Sequence, residues 1–331
     1  MVMKFHRSKT ISAMALLVCT ISQPAAAQAV KGGADYPNRP IRLVVSAAPG
    51  GSSDGAARVI GQRLGEKWGQ QIVIDNRGGA GGILGAGTVA QALPDGYTIG
   101  IVSLRFAVNP SLLKMPFDTV KDFTQLTMTG AVGNVLVVNS KSTIQTVKEL
   151  VAQAKEKPGQ LTFASSGIGG APHLAGEFFA MQTGTKLQHI AYKGGAPATA
   201  DLVGGQVQLA FVVPLNVISH IRAGKLKAIA VSSKTRMEAL PQMPTFIEAG
   251  LPSYDVNVWF GVLAKAGTPT DIISRMSTEI TNMLNTPETR QLLASQGMDP
   301  LVMTPEQFGA LMRADNAKYA DVIKTARIKI D

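Results

Sequence analysis

Cysteine is almost missing from this sequence of 331 residues, and histidine is scarce. The single cysteine, Cys19, lies close to the N-terminus, and only four histidines occur in the chain. No two histidines stand four positions apart and no Cys/His cluster exists, so the usual spacing of zinc ligands is lacking. A Gly-x-x-x-x-Gly-Lys-Ser/Thr phosphate loop is also absent. These absences favour binding over catalysis, and we expect neither a metal nor a cofactor.

Aromatic residues are also few, at 5% of the chain. They are too few for the stacking platforms on which single-stranded nucleic-acid binders depend. Basic residues are scattered and form no run that resembles a nucleic-acid-binding arm. Beyond the N-terminal segment, no stretch reaches the roughly 18 uninterrupted apolar residues of a transmembrane helix. We therefore expect neither a nucleic-acid partner nor a membrane span in the mature chain.

Residues 1–27 have the three-part pattern of a secretory signal peptide. A basic segment, an apolar segment and a small-residue cleavage site follow one another: Lys4, Arg7 and Lys9, then Ile11–Ile21, then Ala25–Ala27. We expect cleavage after Ala27, or alternatively after Ala29, and export to the periplasm. The mature chain would keep 29 of the 32 basic residues against 22 acidic ones, a net charge of +7. This charge can serve solubility or attract anions.

Apolar, β-rich runs alternate with amphipathic helical patterns along most of the mature sequence. The series opens with a strand over Ile41–Ala47, a helix over Asp54–Trp68 and a strand over Ile72–Asn76. Continuous apolar strands that alternate with helices predict parallel sheets covered by helices on both faces. The C-terminal part is mostly helical, and Thr268 and Thr304 are predicted helix N-caps because each precedes a proline.

The mature length suits two lobes, at roughly 100–200 residues per domain. The most economical arrangement folds the two outer parts of the chain together as lobe 1, 36–133 with 260–331. The middle part, 134–259, would then form lobe 2. The chain would cross between the lobes near Ala131–Val135 and Val256–Gly261.

A glycine-rich loop separates the first predicted strand from the first helix: Ala48-Pro49-Gly50-Gly51-Ser52-Ser53-Asp54. Its two glycines let the backbone approach a ligand closely, and the free N–H groups of a helix start favour an anion. Ser52 or Ser53 could cap the helix or donate a hydroxyl group. The loop would lie beyond the carboxyl ends of the strands, where open α/β sheets bind ligands. The alternative is an ordinary turn between strand and helix.

The middle of the chain repeats this arrangement with Ser165-Ser166-Gly167-Ile168-Gly169-Gly170-Ala171, and Pro172 opens the next helix. One loop from each lobe could face the other across a cleft. Each charge-assisted hydrogen bond to a carboxylate oxygen would contribute about 1.5–3 kcal/mol. His173 could contact the ligand as well, although a structural bond to the loop is the alternative interpretation.

A third glycine-rich segment, 75–82, leads into a further helix. There 85–90 matches the Gly-x-Gly-x-x-Ala form of the dinucleotide-binding fingerprint. Its first glycine lies about nine residues after the strand, whereas the glycines of the fingerprint form the turn itself. Close helix packing is therefore the preferred explanation of these glycines.

The strand over Thr98–Ser103 ends beside Arg105 and Phe106, at the rim that also carries the first glycine loop. Arg105 offers a planar fork that suits a carboxylate, and Phe106 could form an apolar wall for a ring. The alternative is a solvated arginine on a surface loop. The candidate ligand residues are Ala48, Pro49, Gly50, Gly51, Ser52, Ser53, Asp54, Ser103, Arg105, Phe106, Ser166, Gly167, Gly169, Gly170, His173 and Asp201.

Eleven stretches of the chain, taken in order, resemble the TctC/Bug family, the extracytoplasmic solute receptors of tripartite tricarboxylate transporters. They are YPNRPIRLVV, APGGSSDGAAR, NRGGAGGILGA, LPDGYT, NPSLL, SSGIGGAPHLAGEFF, YKGGAPATADLVGGQVQ, GKLKAIAVSS, LPQMPTFIEAGLP, AGTP and IKID. Each stretch is weak by itself, but their order, from about Tyr36 to the C-terminus, is highly specific.

The resemblance implies an α/β fold of the type II periplasmic-binding-protein class, with two lobes, two crossing strands and a ligand in the interlobe cleft. It also implies a carboxylate held by the two glycine loops, often through ordered water. The family positions carried over are Pro49, Gly50, Gly51 and Asp54 in the first loop, and Gly167, Gly169 and His173 in the second. Where Ala47 and Ala48 stand, family members often have an aromatic residue, and a hydroxyl residue is common at Gly170. These departures predict a roomier pocket with one donor fewer, which leaves an aromatic acid possible beside the usual C4–C6 acids.

We predict a monomeric periplasmic receptor that captures a small organic carboxylate, either a dicarboxylate or an aromatic acid, for the membrane components of a tripartite transporter. An exported enzyme on the same fold would need an acid–base group in the cleft, with His173, Asp54 and Asp201 as candidates. A ligand sensor that presents its closed form to a receptor kinase also remains open at this point.

Overall fold

The computed structural model describes residues 35–295 and 298–329. The predicted signal peptide, 1–27, and the last two residues of the IKID stretch lie outside the described residues. In the part of the chain that is described, no helix has both the length and the apolar character that a membrane crossing needs. Two five-stranded β-sheets organise this part.

The first sheet combines the N-terminal part of the chain with one strand from much later in the sequence. In spatial order its strands are β2 (Ile72–Asn76), β1 (Ile41–Val45), β3 (Thr98–Ser103), β10 (Asn257–Lys265) and β4 (Phe123–Gly133). β1 pairs in parallel with both β2 and β3, so the carboxyl ends of these three strands meet at one edge of the sheet.

The second sheet is formed by the middle of the chain. In spatial order its strands are β7 (Gln188–Ala191), β6 (Thr162–Ser165), β8 (Leu209–Val212), β5 (Val135–Asn139) and β9 (Leu226–Val231). β6 pairs in parallel with β7 and β8, so the loops that follow these strands also share one edge.

Helices cover the sheets. Among the described residues they are α1 (Ser52–Trp68), α2 (Ile83–Ala90), α3 (Arg105–Val108), α4 (Val147–Glu156), α5 (Ala171–Thr183), α6 (Gly195–Gly204), α7 (Ile218–Arg222), α8 (Thr270–Leu284), α9 (Pro287–Ser295) and α10 (Pro305–Thr325). β1 buries Ile41 and Leu43 in one core with α1 and α8, and Val44 in another core with α2 and α10. The alternation of side chains along a strand therefore gives the first sheet helices on both faces.

The chain passes from the first sheet to the second at Asn134, between β4 and β5. The Asn134 N–H donates to Ser232 Oγ at 2.7 Å, and Asn134 Nδ2 donates to the Val256 carbonyl oxygen at 3.0 Å. Ser232 Oγ in turn donates to the same carbonyl at 2.6 Å. The two crossing segments are therefore bonded to each other. The lobe boundaries predicted at 133/134 and 259/260 stay predictions, and β10 begins before the second of them.

The prediction of parallel sheets holds only in part, because both sheets are mixed. β10 runs antiparallel to β3 and β4, and β5 runs antiparallel to β8 and β9. A chain that leaves a lobe along β4 and returns along the neighbouring β10 has to run in the opposite direction. β4 itself was not predicted. Its buried Thr127 and Thr129 interrupt the apolar pattern, and their hydroxyls donate to the carbonyl oxygens of Met303 and Phe260.

One of the two predicted helix caps is confirmed. Thr304 caps α10 in a capping box, because Thr304 Oγ1 accepts the Gln307 N–H and the Gln307 side chain accepts the Thr304 N–H. The cap predicted at Thr268 is wrong. Its hydroxyl donates to the Lys265 carbonyl oxygen at 2.7 Å, and Pro269 stands at the N-cap of α8.

Candidate ligand-binding cleft

The first glycine loop joins β1 to α1 and leaves backbone donors free at the helix start. Gly51 is the N-cap residue and no side chain caps the helix. Of the two roles open to Ser52 or Ser53, the cap is therefore wrong, and donation of a hydroxyl group stays a prediction. Gly50 has a φ of +85°, in the left-handed region that favours glycine. Within the described part of the chain, the N–H groups of Ser52 and Ser53 have no acceptor. This arrangement favours an anion.

Asp54 holds this loop in shape. Asp54 is 3% exposed, and its carboxylate accepts hydrogen bonds from Gly50 N–H (2.9 Å), Arg58 Nε (3.0 Å) and Asn76 Nδ2 (3.0 Å). Burial alone would raise the pKa of Asp54, but these three donors outweigh it and lower the pKa below its ordinary value. Asp54 is therefore ionised, and its oxygens are already bonded to protein donors.

Glycines of the third segment pack against the backbone at the end of β1. A Cβ on Gly78 would lie 2.9 Å from Ala48 N, and one on Gly85 would lie 2.7 Å from Ser46 Cα. These approaches are closer than a real Cβ tolerates, so close packing is confirmed as the reason for Gly85. The same segment contains the short 3-10 turn Ala80–Gly82, which therefore lies beside the first glycine loop.

The second glycine loop joins β6 to α5 and has the same construction. Gly170 is the N-cap residue without any side-chain cap, and Pro172 stands in the first turn of the helix. Gly167 and Gly169 have φ values of +136° and +68°, which L side chains rarely adopt. Among the residues that the structure describes, the Ala171 N–H has no acceptor. Each lobe thus carries one glycine loop with open donors at a helix start.

His173 supports the second loop. Its side chain is 6% exposed, its Nδ1 accepts the Gly169 N–H at 3.1 Å, and its Nε2 lies 3.5 Å from Glu177 Oε1. Because Nδ1 is an acceptor, the proton of the neutral ring lies on Nε2 and points to the Glu177 carboxylate. This bond is the structural role that the sequence left open for His173, and a direct ligand contact stays a prediction.

A second histidine stacks on His173. The ring centroids of His173 and His189 are 3.7 Å apart with an interplanar angle of 12°, and His189 Nε2 lies 2.7 Å from Ser165 Oγ. Burial, followed by the neighbouring His173, lowers the pKa of His189 to about 3. His189 is therefore neutral at physiological pH. The sequence offered no signal for this pair, since the two residues lie on different elements of lobe 2.

Arg105 lies between the two lobes. It opens α3, immediately after β3, and a Cβ on Gly81 would be 3.6 Å from Arg105 Nη1. On the other side, a Cβ on Gly170 would be 3.3 Å from Arg105 Nη2. No carboxylate or carbonyl group among the described residues accepts a hydrogen bond from this guanidinium or pairs with it. Burial lowers the pKa of Arg105, although an arginine remains charged.

A cavity of about 210 Å³ lies between the end of β3 with α3 on one side and the second glycine loop with the start of α5 on the other. Its lining contains five of the predicted residues: Ser103, Arg105, Ser166, Gly169 and Gly170. The other lining residues were not predicted: Leu104, Val108, Ala171, Pro172, Leu174, Val213 and Val258. Arg105 is the one charged residue of this lining, and most of the wall is apolar. Val213 and Val258 directly follow or lie within strands, so their apolar character gave no sign that they face a cleft.

The chain is similar to solute receptors over nearly its whole length. The model of the tripartite tricarboxylate transporter family receptor matches residues 56–328. The periplasmic binding protein BugD is 33% identical with a TM-score of 0.70, and the match covers 89% of this chain and 99% of BugD. Rpa4515 of R. palustris, solved with adipate, is 34% identical with a TM-score of 0.74 (89% and 99% covered). MatC of Rhodopseudomonas palustris, with bound malate, is 27% identical with a TM-score of 0.68 (87% and 100% covered).

The chain belongs to the TctC receptor family. The resemblance inferred from the eleven sequence stretches is thereby confirmed, and so is the two-lobed periplasmic-binding-protein fold. Members of this family are solute receptors and not enzymes, so the chain is a receptor. The three acid–base candidates have partners within the protein: Asp54 and His173 are bonded to their own loops, and Asp201 accepts the Tyr192 hydroxyl at 2.6 Å.

Eleven of the sixteen predicted ligand residues of this TctC receptor are not part of the cavity lining: Ala48, Pro49, Gly50, Gly51, Ser52, Ser53, Asp54, Phe106, Gly167, His173 and Asp201. For two of them the structure shows another role. Phe106 is 5% exposed and packs on Phe123 with ring centroids 5.0 Å apart, so it belongs to the core. Asp201 lies on α6, where its carboxylate holds Tyr192, whose pKa is raised to about 12 by burial and by Asp201. The sequence placed Phe106 near the correct strand end, but it could not show which way the side chain points.

Proposed function

We propose that this TctC receptor is an exported monomer that captures a small organic carboxylate in its interlobe cleft. It would deliver this ligand to the membrane components of a tripartite transporter. Export is supported by the signal-peptide pattern of residues 1–27 and by the periplasmic relative BugD. Delivery is supported by membership of a transporter receptor family.

The observation that carries the proposal is the guanidinium of Arg105. It lies between a turn of lobe 1 and the second loop of lobe 2, without an acidic partner among the described residues. A charge withdrawn from water without a partner is unfavourable, so the cleft favours a ligand that brings the missing negative charge. Each charge-assisted hydrogen bond that forms would contribute about 1.5–3 kcal/mol.

The walls of the cavity indicate what the rest of the ligand resembles. Apolar side chains, including Leu104, Val108 and Val258, form most of the lining around Arg105. Such walls suit an aliphatic chain or an aromatic ring, while the open N–H groups of both glycine loops suit a carboxylate. The relatives Rpa4515 and MatC were solved with adipate and malate, and both of these ligands are dicarboxylates. A dicarboxylate or an aromatic acid is therefore the proposed ligand class.

A thermal-shift and calorimetry panel tests the proposal. The mature protein is mixed with malate, adipate and benzoate, and with adipamide and benzamide as matched neutral controls. An acid at 100 times its dissociation constant should stabilise the fold by about 2.7 kcal/mol, whereas the amides should have no effect. If sugars, lysine or the amides shift the unfolding midpoint and none of the acids does, carboxylate capture is wrong.

A further inference from the structure

Asn109 lies next to Arg105 and is 2% exposed. It follows α3 directly, and its N–H donates to the Arg105 carbonyl oxygen. Its side-chain Nδ2 donates to the Gly81 carbonyl oxygen at 3.0 Å, across 28 positions of sequence. Asn109 therefore bonds both to the backbone of Arg105 and to the turn Ala80–Gly82.

The Arg105 guanidinium lies beside that turn. A Cβ on Gly81 would lie 3.2 Å from Asn109 Oδ1 and 3.6 Å from Arg105 Nη1, so any side chain at this position would contact both groups. Gly81 has a φ of +65°, which also restricts the position to glycine. Whatever holds this turn in place therefore limits where the guanidinium can lie.

Two buried oxygens nearby have no hydrogen-bond partner among the described residues: Asn109 Oδ1 and Ser46 Oγ. Both residues line a small pocket of about 10 Å³, together with Ser103 and the backbone of Gly81 and Gly82. A pocket of about this size holds a single water molecule if two or more polar groups face it. Buried polar oxygens are rarely left without a partner in proteins.

We infer that Asn109 is a positioning residue for Arg105, and that it acts together with one water molecule held between Asn109 Oδ1 and Ser46 Oγ. The water ties the end of β1 to Asn109, and Asn109 holds the Gly81 turn against which the guanidinium lies. Asn109 itself touches no ligand. This inference rests on the proposed function only in so far as Arg105 binds the ligand.

A double-mutant cycle tests the link between Asn109 and Arg105. The probe is whichever of malate, adipate and benzoate binds the parent protein most tightly. Asn109→Ala should weaken its binding about tenfold, the effect of one hydrogen bond that orients a charged group. In the Arg105→Met background the same change should weaken binding about twofold or less, because no guanidinium remains to be positioned. Equal losses in both backgrounds would overturn the inference.

Asn139 supplies a matched control for loss of structure alone. Its Nδ2 donates to the Leu202 and Val203 carbonyl oxygens at 3.0 Å and 2.9 Å, within lobe 2. Asn139→Ala should lower the unfolding midpoint and leave affinity unchanged. If it weakens binding as much as Asn109→Ala does, Asn109 is a structural residue and not a positioning one.

A crystal structure of the free receptor tests the water independently of any ligand. It should show one water about 3 Å from both oxygens. Ser46→Ala should then lower the unfolding midpoint and weaken binding of the probe a few-fold. If Ser46→Ala raises the unfolding midpoint, the Ser46 hydroxyl was buried without a hydrogen-bond partner, and the water bridge is wrong. If no acid binds even the parent protein, the proposed function fails while the crystallographic test still stands.

Discussion

Replacing Arg105 by methionine should stabilise the free receptor and weaken its complex with a carboxylate. Methionine keeps an unbranched side chain that can cover the same apolar wall, but it removes the charge. The guanidinium is partly buried and has no acidic partner in the described part of the chain, so the free protein loses an unfavourable group. We expect a gain of about 1 kcal/mol in the free energy of unfolding, from the lower range for a partly buried polar group.

The loss in the complex should be larger than this gain. A charge-assisted hydrogen bond contributes about 1.5–3 kcal/mol, so affinity for the best acid should fall by about 10- to 150-fold. Urea unfolding without ligand measures the first effect, and calorimetric titration with the same acid measures the second. A gain in stability together with a loss of affinity distinguishes a binding group from a structural one.

Arg63→Met is the matched control, because Arg63 lies on the exposed side of α1 and pairs with Glu66 at 3.3 Å. A surface pair of this kind contributes at most about 1 kcal/mol, so neither stability nor affinity should change much. If Arg105→Met destabilised the free protein and left affinity for every acid unchanged, Arg105 would not bind the ligand. Arg105 would then belong to the fold and not to the site.

Three further predictions concern the glycine loops, acid stability and closure. Gly51→Val and Gly169→Val should both abolish binding. Gly51→Val should leave the fold intact, because Gly51 has a φ of −88° and only Ala48 O lies near a Cβ there, at 3.9 Å. Gly169→Val should also lower the unfolding midpoint, because Gly169 has a φ of +68°. Unchanged affinity in both variants would mean that the loops are only turns. His189 has a pKa of about 3 in the fold against 6.5 ordinarily, so the unfolded chain alone takes up a proton between these values. The free energy of unfolding should therefore fall as the pH drops from 6.5 toward 3, by at most about 1 kcal/mol per pH unit after allowance for partial exposure. His189→Gln should reduce the difference between the urea midpoints measured at pH 7 and at pH 5. An identical slope in the variant would assign the acid sensitivity elsewhere. Finally, ligand should reduce the radius of gyration in X-ray scattering, because each lobe contributes one rim of the cleft, and equal radii with binding confirmed would indicate a rigid pocket.

Most elements of the fold could be predicted from the local sequence, because helices and strands are largely set by the spacing of apolar residues and by the glycines and prolines that end them. The strands over Ile72–Asn76 and Thr98–Ser103 have the predicted ends. β4 was missed since it buries Thr127 and Thr129, whose hydroxyls donate to the carbonyl oxygens of Met303 and Phe260, far along the chain. The antiparallel direction of β10 could not be predicted, because strand neighbours depend on where the chain returns.

For the cleft, the sequence by itself determined the chemistry on offer: two glycine loops at helix starts, an arginine at a strand end, and the family. These are local features, since a turn, a helix start and a motif depend on adjacent residues. Only the tertiary structure decided what each group does. Asp54 and His173 bond to their own loops, Phe106 joins the core, and Arg105 lies against Gly81 of one lobe and Gly170 of the other. The physical reason is that a side chain's partners are set by packing between distant segments, which local sequence does not encode.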